Sequence, residues 1–75
     1  MTRLVVGRDL QVVAETEAGI EMQGRARLRP GREVEVARAS ADGADMMRRA
    51  SVESWRVVRA DSSGVVFQGW CQWLE

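Results

Sequence analysis

The sequence predicts an all-β protein: a small antiparallel β-barrel of five or six strands, with at most one short helical turn. Three observations predict it. Apolar residues make up 45% of the chain, and valine, which is stiff at χ1 and suits a pleated surface, dominates them. Residues 19–28 alternate strictly between apolar or small and polar side chains. Turn residues at Gly19, Gly24, Pro30-Gly31, Asp42-Gly43 and Asp61-Ser62-Ser63-Gly64 cut the chain into pieces of strand length. At 75 residues and 8.4 kDa the whole chain, 1–75, reads as one domain. A chain this short buries only about 60% of its unfolded surface, so curling its sheet into a barrel is the expected way to protect sheet edges.

The first piece runs from Arg3 to Ala14, with Leu4, Val5 and Val6, then Leu10, Val12 and Val13. Gly7 in its middle predicts one bent strand or two short ones. A polar turn, Glu15 to Gly19, follows. In the second piece Ile20, Met22, Gly24, Ala26 and Leu28 share one face, and Glu21, Gln23, Arg25 and Arg27 the other. A period of two means a strand with one buried face, and Gly24 allows it to bend. After the Pro30-Gly31 turn comes a strand over Arg32 to Arg38, with Val34 and Val36 inward and Glu33, Glu35 and Ala37 outward.

The stretch Ala39 to Met47 is small and polar, with Asp42-Gly43 as a hairpin signal. Residues 44–50 have room for a single helical turn and no more. The next strand spans about Arg49 to Ala60. Ala50 and Val52 share one face but Trp55 and Val57 the other, so a bulge near Ser54 is expected. Asp61 to Gly64 is a tight connection. In the last strand Val65, Phe67, Cys71 and Trp73 lie on one face, and Val66, Gln68, Trp70, Gln72 and Leu74 on the other. The strands are expected to follow one another as an antiparallel meander.

Composition excludes many chemistries. There is no His, Lys, Tyr or Asn, so no His-based triad, His-rich metal site or Lys Schiff base exists. Cys71 is the sole cysteine and has no disulfide partner within the chain. It shares the phase of Phe67 and Trp73 and reads as a core residue, not a nucleophile. The acids alternate with arginines or apolar residues, as on solvated strand faces. No catalytic residue, metal site or cofactor is therefore expected, and the chain is expected not to be an enzyme. No apolar run approaches a membrane span of roughly 18 residues. Met1 to Leu10 does not read as a signal peptide, and a lone free thiol fits the cytoplasm.

Eleven arginines balance eleven acids, so no bulk field draws the protein to nucleic acid. One local run stands out: Arg25, Arg27, Arg29 and Arg32, a candidate anion contact with no acid between them. The competing expectation is that these cations pair with Glu33 and Glu35 across the Pro30-Gly31 turn. An outward Trp70, with Trp55, Val66 and Leu74, forms a candidate partner interface. The competing expectation places Trp55 and Trp70 over an open barrel end.

Leu10 to Val13 leads into the turn Ala14-Glu15-Thr16-Glu17-Ala18-Gly19. Leu28-Arg29-Pro30-Gly31-Arg32-Glu33-Val34-Glu35-Val36 then supplies a Pro-Gly turn and a Val-rich strand, and Ser51 to Phe67 a closing hairpin. In this order the chain resembles PilZ domains, small bacterial β-barrels, over about Leu10 to Trp70. The family's turn carries Asp or Asn, then Ser, then Gly. Here Ala14, Thr16 and Gly19 stand in those places. The resemblance implies a regulatory barrel of the kind that typically binds cyclic di-GMP. That binding also needs two arginines separated by three residues, whereas Arg3 and Arg8 are separated by four. With Ala14 in the Asp or Asn place as well, the resemblance implies a degenerate member. Such a barrel serves as a signalling module that contacts another protein, as a hetero- or homo-oligomer, and not as a nucleotide receptor. The alternative is an SH3-, Sm- or OB-like barrel that binds nucleic acid through Arg25 to Arg32.

Overall fold

A computed structural model describes residues 2–39 and 45–74. Among the described residues there are six strands and no helix: β1 (Thr2–Val5), β2 (Leu10–Glu15), β3 (Gly19–Gly24), β4 (Glu33–Ala39), β5 (Asp45–Asp61) and β6 (Gly64–Trp73). They form one sheet in the order β1-β4-β5-β6-β3-β2, curled into a half-barrel.

The curl follows from connectivity. β1 and β2 are consecutive in the chain, yet they occupy opposite edges of the sheet. In a flat sheet, five strand spacings would hold them about 24 Å apart. The five residue steps from Val5 to Leu10 reach at most about 17 Å. The actual link is tighter still. The Val5 carbonyl accepts from Arg8 N (3.2 Å) and Asp9 N (2.8 Å), and Gly7 N donates to the Leu10 carbonyl (2.7 Å). Gly7 has φ +87°, a left-handed conformation that glycine adopts without penalty. The two edges therefore meet at this bend.

The first piece is thus the pair of short strands that Gly7 predicted. Its two halves pair with different neighbours. Thr2 to Val5 lies parallel to Val34 to Ala37, and Leu10 to Glu15 lies antiparallel to β3. This corrects the expected meander. The sheet is mixed, and β3 and β4 are separated by β5 and β6. Arg25 to Arg32 is no hairpin but a crossing of the barrel end, which buries Leu28 and half-buries Ala26. The predicted 19–28 strand accordingly ends at Gly24, although the inward set Ile20, Met22 and Leu28 remains buried.

Strand β5 shows the cost of curling most clearly. Seventeen residues in a straight strand would span about 53 Å, but the longest dimension of the molecule is 38 Å. The strand bends at two register shifts, Val52/Ser54 and Val57/Arg59. The first is the bulge that the phase slip required. The helical turn expected over 44–50 is absent among its described residues: Asp45 to Ala50 belongs to β5 and pairs with β4. β4 holds its alternating neighbours in that conformation, and one turn of helix has no independent stability to oppose it. The predicted Asp42-Gly43 turn lies outside the described residues.

The core gathers Leu4, Leu10, Ile20, Met22, Leu28, Val34, Val36, Ala50, Val52, Cys71 and Trp73, with Trp55 packed against it. Ala37, expected outward, is buried. It is flanked by Val5 on one side and Met47 on the other, and so small a side chain is covered by its neighbours. Where β1 stops, Arg38 of β4 reaches Glu15 of β2 at 2.6 Å, an ion pair across the open seam.

Two glycines are sites of close approach. A Cβ at Gly24 would lie 2.7 Å from the Asp9 carbonyl and 3.0 Å from Leu10 Cβ, so Gly24 lets the bend reach β3. A Cβ at Gly69 would collide with the Ser54 carbonyl and lie 2.6 Å from Trp55 Cε3. Gly69→Ala should lower stability by about 3 kcal/mol through this overpacking against backbone. Gly7→Ala meets open space and should lose only about 1 kcal/mol, from the positive φ alone. Urea unfolding midpoints of the two variants check this order, and equal losses would contradict it.

Candidate functional site

The described structure redistributes the residues that sequence reasoning had grouped. Of the four arginines in the basic run, only Arg25 lines the cleft at the Gly7 bend. Its Nη1 donates to the Ser63 carbonyl, which holds it against the β5–β6 turn. Arg29 and Arg32 flank the Pro30-Gly31 turn and line a second, open hollow there of about 610 Å³ beside Glu33. Arg27 is exposed and lines neither cavity. The expected pairing of Arg25 and Arg27 with Glu33 and Glu35 is not formed, because β3 and β4 are not neighbours. Glu33 instead faces Arg49 across β4 and β5, at 3.9 Å.

Arg25 meets cations from distant positions. Arg3 and Arg8, on either side of the Gly7 bend, and Arg59, near the end of β5, line the same cleft. Its volume is about 620 Å³. Buried Leu4, Leu10 and Val66 back it, and half-buried Ala26 with the amides of Gln11 and Gln23 faces it. The lining carries four guanidinium groups and one carboxylate, Asp9. Asp9 is occupied locally, accepting from Val5 N at 3.2 Å. Asp61 stands just outside and pairs with Arg59 Nε at 3.4 Å. The Ser63 hydroxyl and backbone N–H hold the Asp61 carboxyl below its ordinary range, with smaller help from Arg59 and Arg25. It therefore stays charged at neutral pH. Nothing in the sequence order signalled this cluster, because its members come from four separate segments.

The candidate interface residues divide. Trp55 turns inward: its Nε1 donates to the Ala26 carbonyl at 2.8 Å, and its ring lies over Gly69. Val66, expected on an outward patch, is buried at 7% exposure. The second bulge shifts β5 against β6, so that Arg59 pairs with Val66 and both line the cleft. Trp70 is half-buried and lies across Gly19, where a Cβ would sit 2.6 Å from Trp70 Cζ2. Leu74 is exposed. The larger apolar exposure lies at Val57, Val58 and Val65, on the β5–β6 hairpin.

The turn that resembles the PilZ motif has a structural occupation. Thr16 Oγ1 accepts from Ala18 N (3.2 Å) and Gly19 N (3.3 Å), and the Thr16 carbonyl accepts from Trp73 Nε1 at 3.3 Å. Arg48 stacks over Trp73, 4.1 Å from the ring centroid. Ala14 is an exposed strand residue. This turn joins β2 and β3 at the end opposite the arginine cleft, which sits where Leu10 pairs with Gly24.

Cys71 is buried in the core, and burial pushes its thiol up to about 11. Among the described residues no group of three or more His, Cys, Asp or Glu is placed to hold a metal ion. Among the described residues no helix is long and apolar enough to cross a membrane. No known protein family, curated protein or solved structure matches the chain.

The raised Cys71 value gives a signed expectation. The unfolded thiol ionises near its ordinary value of 9.0, while the folded one holds its proton to about 11. Stability should therefore fall as pH rises from 9 to 11. At pH 8 the native thiol should resist a disulfide reagent and react fully in urea. Rapid labelling of the native protein would contradict its burial.

Proposed function

We propose that this chain is a non-catalytic binding module, a degenerate PilZ-like barrel in a bacterial signalling system, which engages another protein and not cyclic di-GMP. One observation carries the protein-binding reading: the outer half of β5 is an unpaired sheet edge. β4 pairs with β5 only from Asp45 to Ser51. The Pro-Gly turn extends the pairing by one residue, since Gly31 N donates to the Val52 carbonyl and Val52 N donates to that of Arg32. Among the described residues, β5 from Glu53 to Asp61 has β6 alone as a strand neighbour. Val57 and Val58, at 54% and 41% exposure, stand on this stretch. An unpaired edge with exposed β-branched side chains is a template for an added strand.

The position of the family turn supports the second half of the proposal. The family's nucleotide needs arginines and the turn on one surface. Here Arg3 and Arg8 lie at one end of the β2–β3 hairpin and Thr16 to Gly19 at the other. The Thr16 hydroxyl is also committed to its own turn and the Thr16 carbonyl to Trp73. The nucleic-acid alternative loses its stripe, because Arg25 departs to the cleft while Arg29 and Arg32 stay beside Glu33. The non-catalytic reading draws on a core-buried thiol and carboxylates spread over exposed strand faces.

Titration calorimetry should detect no binding of cyclic di-GMP, and micromolar affinity would overturn that half of the proposal. Sedimentation velocity should show self-association that grows with concentration, the partner strand here being a second copy. The double variant Val57→Lys, Val58→Lys should abolish it without lowering the unfolding midpoint by more than about 1 kcal/mol, as expected for exposed positions. A strict monomer at millimolar concentration would count against an edge that recruits a strand.

A further inference from the structure

We infer that the cleft at the Gly7 bend is a binding site for a small phosphate ester, the phosphate held by Arg8, Arg25 and Arg59 and its organic part lying beside Ala26, Gln11 and Gln23. This is separate from the β5 edge and does not depend on it.

The first ground is charge. Arg8, Arg25 and Arg59 line one cleft whose lining holds a single carboxylate, Asp9, in a protein whose net charge is zero. Like charges gathered this way repel one another unless an anion joins them. The Asp61 carboxylate relieves only part of this, through one Nε contact at 3.4 Å on an exposed pair, a geometry that leaves the terminal nitrogens of Arg59 available. Arg25 spends one nitrogen on the Ser63 carbonyl and retains its other donors. No described residue forms an ion pair or side-chain hydrogen bond with Arg8, which is exposed on the bend.

The second ground is size and shape. A cleft of about 620 Å³ falls within the range of roughly 300–1,000 Å³ typical of small-molecule sites. It is a local concavity and not a track. Arg27, Arg29 and Arg32, which a nucleic-acid strand would need to follow, lie outside it. A phosphate monoester or diphosphate concentrates two or three negative charges in the space that several guanidinium forks can surround. A single carboxylate brings only one. Half-buried Ala26 and the amides of Gln11 and Gln23 then suit an organic group better than a bare ion. Gln23 is itself placed by Gln68, which bonds to both Gln23 (3.5 Å) and Glu21 (2.9 Å).

The backbone contributes little to anion binding here. The N–H groups of Gly7, Arg8 and Asp9 all donate within the bend. Recognition therefore rests on side chains, and side-chain variants should report on it directly.

The probes are phenyl phosphate, inorganic phosphate and a single-stranded RNA oligonucleotide, titrated into the intact chain and followed by amide chemical shifts. Phenyl phosphate should saturate, with shifts concentrated at residues 3–11, 23–26 and 59–66, and should bind more tightly than inorganic phosphate. The double variant Arg8→Ala, Arg59→Ala should weaken it by about tenfold or more. Arg27→Ala, outside the cleft, should change it less than about twofold. Both arginine changes are at exposed positions, and an unchanged unfolding midpoint separates lost binding from lost fold. Three results would overturn the inference: no saturation by phenyl phosphate at millimolar concentration, equal losses in Arg27→Ala and the double variant, or binding of the RNA alone.

Discussion

The bend at Gly7 is the constraint on which the rest of this structure depends. A six-stranded sheet has two edges, and the chain places consecutive segments on both of them. The Val5–Leu10 link is too short to bridge a flat sheet, so the sheet must curl until the edges touch. Everything near the bend adjusts to that contact. Gly24 lacks a side chain because the Asp9 carbonyl and Leu10 come so close. β5 acquires two bulges because a straight strand of its length would not fit the molecule. The connection from β3 to β4 passes over the barrel end because two strands intervene between them.

The same closure explains how a chain of this size holds a core. The sheet packs against itself, and Leu4, Leu10, Ile20, Met22, Val34, Val52 and Cys71 are almost wholly removed from water. The large aromatics are seated on missing side chains: Trp55 over Gly69 and Trp70 over Gly19. Each Trp takes up space that a Cβ would have filled, and each covers backbone that the glycine leaves bare. Polar contacts finish the seam where backbone pairing ends, as Arg38 and Glu15 do below β1.

Curling also decides which surfaces remain for binding. One end of the β2–β3 hairpin is consumed by structure, with Thr16 capping its own turn and anchoring Trp73. The other end collects arginines from both sides of the bend. The β5–β6 hairpin outgrows the strands beside it, so part of β5 is left without a neighbour. A basic cleft and an open edge are thus two by-products of one topology.

The sequence by itself determined the strands and most of their inward faces. Period-two alternation in Ile20 to Leu28, the Gly7 interruption and the phase slip at Ser54 are local signals, set by backbone geometry between near neighbours. It also determined what the protein lacks, since absent residue types need no fold to be read. Only the tertiary structure decided the strand order, the parallel pairing of β1 with β4, and the fate of residues 44–50. These depend on contacts between segments far apart in the chain, and hydrophobic pattern alone does not choose among neighbours of equal apolarity. The site shows the same division. Arg25 to Arg32 looked like one cluster because its members are close in sequence, yet the fold separates them. Arg3, Arg8, Arg25 and Arg59 converge because an edge-to-edge closure brings four segments to one place. Charge acts through space, and linear spacing gives no measure of that distance once the sheet has curled.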